Sequence, residues 1–182
     1  MKKFFATVEL VFAILYIHWD KVFFLGVVAF DQFTKAVVMR SMVPGESIPI
    51  IQNIFHLTYV LNPGAAFGIL SNQRMFLLVT GAVLILATAY FYPLLKKSDG
   101  FLRLGATAIL SGAVANLIDR VQTGCVVDFF DFRIWPVFNV ADIAIVLGMG
   151  LMIYAILFRF DGSDSIRNVE LGMRNEKSKS NS

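Results

Sequence analysis

Between Asn116 and Asp142 the chain reads N-L-I-D-R-V-Q-T-G-C-V-V-D-F-F-D-F-R-I-W-P-V-F-N-V-A-D. Four aspartates (119, 128, 131 and 142), two arginines and two asparagines fall within it. Two carboxylates that share a site cannot both ionise cheaply, so such a pair holds one proton between them. The ionised member can then activate water while the protonated member polarises a carbonyl. Asp128 and Asp142 are the pair favoured for this chemistry. Spacing alone leaves other arrangements open, because a loop between them could set the two carboxylates anywhere. Each could instead be a solvated anion or part of a helix cap. Asp142 opens an apolar helical run, where the helix dipole favours a carboxylate and Asn139 is placed to cap.

The remaining polar residues offer further arrangements. Asn116, Asp119 and Arg120 are spaced i, i+3 and i+4, which puts them on one helix face. Asp119 and Arg120 could form an ordinary helix-end ion pair as readily as a functional one, whereas Asn116 lies deeper and needs partners for its amide. Asp31 and Lys35 are spaced i, i+4 with the acid first, the order a helix prefers, and read as a structural brace. Cys125 with His56 offers a thiol nucleophile, but no third group is evident to orient the pair. The single cysteine also excludes an internal disulfide and a four-cysteine metal site. Thr123-Gly124-Cys125 resembles a lipidation motif but lies mid-chain.

The elements that must position these groups are apolar. Of 182 residues, 57% are hydrophobic and 16% charged, and the mean hydropathy is +0.70. Runs of about 20 apolar residues indicate a polytopic membrane protein. Four spans are expected, at Val22 to Val38, Met75 to Leu95, Phe101 to Ile118 and Asn139 to Phe158. The apolar stretch Phe4 to Ile17 is short and contains Glu9, so residues 1–21 read as an N-terminal interfacial segment. Residues 22–158 form the membrane domain, and residues 159–182 read as a polar cytoplasmic tail. Ile48 to Leu61 is rich in β-branched and aromatic residues, which predicts short strands within an outer region at about 44–70. Pro44-Gly45 and Asn62-Pro63-Gly64 bound those strands as turn signals.

Lysines and arginines orient the spans. Lys2, Lys3, Lys96, Lys97, Arg103 and the basic residues from Arg159 onward fall on one side, so both termini are expected in the cytoplasm. The strand region and the aspartate-rich stretch then share the outer face. The net charge of +3 follows from these basic ends. No basic stripe interleaved with aromatics is present, so nucleic-acid binding is not expected.

Five motifs occur in order: D-Q-F-T-K (31–35), N-P-G-A-A-F-G (62–68), G-A-V-A-N-L-I-D-R (112–120), V-V-D-F (126–129) and F-N-V-A-D-I-A-I (138–145). Over residues 22 to 158 the chain resembles bacterial lipoprotein signal peptidase, or signal peptidase II. The resemblance implies an intramembrane aspartyl protease that uses no metal or cofactor. Such an enzyme cuts prolipoproteins just before a diacylglyceryl-modified cysteine. It implies Asp128 and Asp142 as the catalytic pair, with supporting roles for Asp31, Lys35, Asn62, Gly64, Asn116, Arg120 and Asn139. Asp119 and Asp131 then lie outside the pair. The fold implied is mainly α, four transmembrane helices with a small extracytoplasmic β-rich cradle. The implied setting is the bacterial plasma membrane, with lipid-modified prolipoproteins and membrane lipids as partners and the protein acting as a monomer. Ser111 and Ala115 stand where the family often has glycine; both are small, so close helix packing is expected to survive.

Two other classes of function use similar residues. A small transporter or proton relay also needs intramembrane aspartates, but would set them deep within spans. Here they cluster at span ends on one side. A non-catalytic scaffold would tolerate Asp→Asn at both positions.

Overall fold

A computed structural model describes residues 18–64, 74–95 and 99–159. Within them lie four helices and three strands, in the order α1 (Trp19–Ser41), β1 (Ser47–Ile51), β2 (Phe55–Asn62), α2 (Arg74–Leu95), α3 (Gly100–Gln122), β3 (Val126–Asp131) and α4 (Val140–Phe158). Three of the helices, α1, α3 and α4, are long and apolar enough to cross a membrane. Each of the four predicted spans corresponds to a helix. α1 and α3 extend by several residues beyond the predicted spans, and the added turns carry polar residues such as Asp20, Asp119 and Arg120. The segment Phe4 to Ile17, the turn after Gly64 and the tail from Asp161 lie outside the described residues.

Helices α3 and α4 make the closest approach. A Cβ on Gly105 would stand 2.6 Å from the Gly148 carbonyl oxygen and 2.7 Å from Met152 Cγ. A Cβ on Gly148 would stand 2.6 Å from the Gly105 carbonyl in return. At Gly112 an added Cβ would run into the Ala141 carbonyl oxygen. Ser111 and Ala115, the two departures from glycine, are fully buried and fit, with the Ser111 hydroxyl donating to the Ala108 carbonyl at 2.9 Å. Small residues let two backbones meet where lipid gives helices little hydrophobic reason to associate.

Both ends of this bundle are tied. At one end the Arg103 guanidinium of α3 lies 4.8 Å from the centre of the Trp19 ring at the start of α1. Arg159, after α4, pairs with Asp99, the N-cap of α3, at 2.8 Å. At the other end sits an antiparallel sheet of order β1-β2-β3. The predicted strand region resolves into the β1–β2 hairpin, with Pro49 in the edge strand, where a missing N–H is tolerated. Val127 and Phe129 of β3 pack with Tyr59 of β2 and with Val38 and Met42 at the end of α1, which fastens the sheet to the bundle.

The stretch expected to be a free loop is the largest revision. Val126–Asp131 is a strand paired with β2, in register Asn62↔Val126 and Val60↔Asp128. The sequence V-V-D-F-F-D lacks strict alternation because nearly all of the strand is buried. After it the chain folds back on itself. The Phe138 carbonyl accepts from the Phe129 and Phe130 amides at 3.0 and 2.8 Å, and Phe138 N–H returns a bond to Phe130 at 3.1 Å. That closure sets the start of α4 beside β3.

The glycine contacts make a stability prediction. Gly105→Ala should lower the detergent-solubilised protein's thermal midpoint by the equivalent of about 1–3 kcal/mol, the usual cost of overpacking. Gly26→Ala, where an added Cβ meets nothing within 4 Å, should leave stability unchanged or raise it. Equal midpoints for Gly105→Ala and wild type would contradict the close approach.

Candidate active site

Asp128 and Asp142 reach the same place from opposite directions. Asp128 lies mid-way along β3, on the face opposite Val127 and Phe129. Asp142 lies in the first turn of α4, where Asn139 is the N-cap. The expected cap is a full capping box: the Asn139 side chain accepts from Asp142 N–H at 2.9 Å, and Asp142 Oδ2 accepts from Asn139 N–H at 3.2 Å. Helix cap and candidate catalytic group, which the sequence left as alternatives for Asp142, are one arrangement.

Asn139 has a second hydrogen-bonding arm. Its Nδ2 donates to Asp128 Oδ1 at 2.7 Å and to Asn116 Oδ1 at 3.1 Å. Asn116 in turn donates from Nδ2 to Asp142 Oδ1 at 2.8 Å. The other oxygen of Asp128 accepts from Asn62 Nδ2 at 2.9 Å, across the sheet. Asn62 Oδ1 takes the Gly64 N–H at 2.9 Å, and Arg120 donates to the Gly64 carbonyl at 3.1 Å. Every supporting residue expected from the sequence that lies on these elements therefore touches the aspartates or a group that touches them.

Both carboxylates line one cavity of about 230 Å³. Asn62, Asn116 and Arg120 form its polar wall, and Trp135, Phe138, Ile145 and Val146 form its apolar wall. An almost wholly apolar groove of about 370 Å³ runs alongside on α4; it shares Trp135, Phe138, Asp142 and Val146 and adds Ile143 and Leu147.

The two acids of β3 differ sharply in environment. Burial pushes the Asp128 carboxyl up to about 7. The bond from Asn62 opposes this rise, the Asp142 charge adds to it, and the bond from Asn139 opposes it. Asp131 is also affected by burial, but hydrogen bonds from Thr58 (2.7 Å) and from the Arg133 backbone and side chain (2.8 and 2.9 Å) outweigh it and hold the group below its usual range. A carboxyl titrating near neutrality suits proton transfer, whereas a firmly ionised, paired one suits structure.

The brace of α1 reaches further than its i, i+4 spacing implies. Lys35, 1% exposed, pairs with Asp31 at 2.7 Å and with Asp119 at 2.8 Å, and donates to Asn116 Oδ1 at 3.0 Å. Asp119 thus joins a buried ion triad, a partnership that the helix-end pairing with Arg120 does not anticipate. Only folding brings α1 within reach of α3, so neighbouring positions in sequence misled. Gln32 was not singled out. Its Nε2 donates to Asp119 Oδ1 at 2.8 Å and to the Ala115 carbonyl at 3.2 Å. Its place inside D-Q-F-T-K, between the two brace residues, was the available signal.

The thiol alternative loses its geometry. Cys125 precedes Val126, which pairs with Asn62, whereas His56 pairs with Asp131 at the far end of the same two strands. Six residues of strand put the two roughly 20 Å apart. His56 Nδ1 instead meets the Ser47 hydroxyl at 3.1 Å. Among the described residues, no group of three or more His, Cys, Asp or Glu is arranged to hold a metal ion.

A family model described as signal peptidase (SPase) II matches residues 23–158. The chain belongs to the signal peptidase II family. A lipoprotein signal peptidase of Moorella thermoacetica is 49% identical over 135 residues, covering 73% of this chain and 89% of that relative. One from Halothermothrix orenii is 48% identical over 130 residues, covering 71% and 88%. A bacterial membrane enzyme solved by the in meso method at 2.3 Å resolution superimposes with a TM-score of 0.72 at 35% identity, covering 78% of this chain and 89% of that one. Membership agrees with the resemblance carried by the five motifs.

The triad supplies a prediction. Lys35→Ala leaves two buried carboxylates without their shared cation and should destabilise the protein by about 3–5 kcal/mol, with turnover reduced but not abolished in the folded fraction. Chemical denaturation with parallel activity assays would measure both. Complete loss of turnover in folded, substrate-binding protein would contradict a supporting role.

Proposed function

We propose that this chain is a membrane aspartic endopeptidase that removes the signal peptide from diacylglyceryl-modified prolipoproteins, cutting before the lipidated cysteine, with Asp128 and Asp142 as its catalytic dyad. The observation that carries the assignment of residues is that both carboxylates face one cavity and are tied to a single residue, Asn139. A proton relay would set its acids deep within spans. Asp128 instead sits on a strand and Asp142 at a helix start.

The reaction follows from the two environments. Asp128, raised by burial, holds the shared proton near neutral pH. Asp142 acts as the base, taking a proton from a water lying between the carboxylates, and the resulting hydroxide adds to the scissile carbonyl carbon. Asp128 gives its proton to the carbonyl oxygen as charge develops there. Collapse of the tetrahedral intermediate returns one hydroxyl proton to Asp128 and expels the amine of the lipidated cysteine, which leaves with the proton held by Asp142. The apolar groove beside Asp142 is formed by exposed side chains of α4, Ile143, Val146 and Leu147, which would receive a diacylglyceryl group from the lipid.

The chain is a membrane protein, and its finer arrangement belongs to the same proposal. Four spans, α1 to α4, cross the bacterial plasma membrane with both termini cytoplasmic and the sheet and dyad at the outer face. The protease domain covers residues 22–158, between the N-terminal segment at 1–21 and the polar tail from 159. The protein acts as a monomer. The basic residues Lys96, Lys97 and Arg103 support this orientation. A reporter fused after Ser182 should be active inside the cell; activity only outside would reverse the topology.

The dyad makes the sharpest test. Purified protein should cut a lipidated prolipoprotein and leave its non-lipidated form intact. Asp128→Asn and Asp142→Asn should each abolish cleavage, and the double variant should be hardly worse than either single one. Each aspartate accepts hydrogen bonds on both oxygens. An amide at either position therefore sets one N–H₂ against a donor and should cost about 1–3 kcal/mol of stability. Asp131→Asn should retain most activity. In the wild type, kcat should fall as pH rises through about 7, because Asp128 then loses the proton it must donate. Near-normal cleavage by either dyad variant would sink the assignment.

A further inference from the structure

The ion triad touches the backbone at two matched positions. Asp31 Oδ1 accepts the Ala141 N–H at 2.8 Å, and Ala141 immediately precedes Asp142. Asp119 Oδ2 accepts the Val127 N–H at 3.2 Å, and Val127 immediately precedes Asp128. Lys35 binds Asp31 and Asp119 at 2.7 and 2.8 Å. One buried cation therefore stands between two carboxylates, and each carboxylate holds the peptide group one residue ahead of a different dyad member. Gln32 fixes the free oxygen of Asp119, donating to Oδ1 at 2.8 Å.

We propose that Asp119 is a positioning residue for Asp128, as Asp31 is for Asp142, and that Lys35 joins the two so that the dyad's spacing and charge are set together. The inference rests on the assignment of Asp128 and Asp142 as the dyad. Asp119 does not itself line the cavity; it acts through the Val127 peptide and through Lys35. A carboxylate accepting a backbone N–H makes a charge-assisted bond, shorter and stronger than a neutral one, and so suits the holding of a strand that carries a reacting group. An error of about 1 Å in placing such a group can cost 100-fold in rate.

Asp119 also has an electrostatic role. Asp128 is faced by Lys35 from α1, Arg120 from α3, Asp142 from α4 and the amides of Asn62 and Asn139. Lys35 favours the ionised form of Asp128. Neutralising Asp119 removes half of the anionic charge paired with Lys35, so more of the ammonium's field reaches Asp128. Asp128 then gives up its proton at a lower pH.

Two variants separate position from charge. Asp119→Glu keeps the negative charge beside Lys35 but displaces the carboxylate by about a methylene. Its kcat should fall roughly 10- to 100-fold with KM little changed, while the alkaline limb of the pH–rate profile stays where it is in the wild type. Asp119→Asn should lower kcat similarly and also move that limb to lower pH. Wild-type kcat in folded Asp119→Glu would overturn the proposal, and so would an unmoved limb in folded Asp119→Asn. If Asp119→Asn does not fold, the charge-retaining variant decides alone. Asp128→Asn, assayed in parallel, keeps the two readings distinct. Activity in Asp128→Asn overturns the dyad itself. An inactive Asp128→Asn beside a wild-type-like Asp119→Glu overturns only the positioning role.

Discussion

The ammonium of Lys35, buried between α1 and α3, is the constraint on which the other arrangements depend. A charge taken out of water is expensive unless it is paired and fully hydrogen-bonded. Asp31 and Asp119 supply the pairing, and the Ala141 and Val127 amides with Gln32 occupy the remaining carboxylate valences. Those partners come from α1, α3, β3 and α4, so the triad is satisfied only when all four elements are in place. The glycine contacts between α3 and α4 serve the same geometry. With side chains at Gly105, Gly112 or Gly148, the two helices would stand apart and Asn116 would lose Asp142.

Over this buried layer the sheet and the loop after it place the chemistry. β2 and β3 hold Asp128 against Asn62, and the return of Phe138 onto Phe129 and Phe130 brings the start of α4 to the same point. Asn139 then serves two purposes. Its oxygen caps the helix that bears Asp142, and its nitrogen binds Asp128. Asp128 and Asp131, three residues apart on one strand, are driven to opposite titration behaviour by their partners. Environment, not residue type, thus separates the acid proposed for chemistry from the acid held for structure.

Much of this was legible in the sequence, for identifiable reasons. Apolar runs of span length became helices because, in lipid, a backbone must satisfy its own hydrogen bonds. Asp31 with Lys35 and Asn139 with Asp142 are local pairs, so helical spacing and capping rules found them. β3 was not legible as a strand, because burial of nearly all its residues erases the alternation that marks a half-exposed strand. The partner of Asp119 was not legible either. Its adjacent arginine is the obvious candidate by spacing, and the lysine that pairs with it is brought close only by helix packing. Gln32 acts through the same long-range contact and leaves no periodic trace.

The capping box has a consequence for the life of the chain. Asp142 takes up its place only when the first turn of α4 has formed, and α4 is the last of the described helices to leave the ribosome. Until that helix is inserted, Asp128 has neither its partner acid nor the amide of Asn139 beside it. A nascent chain whose α4 has not yet formed would therefore lack the proposed dyad. On that proposal cleavage would begin only once α4 is inserted, so the order of synthesis itself would delay it.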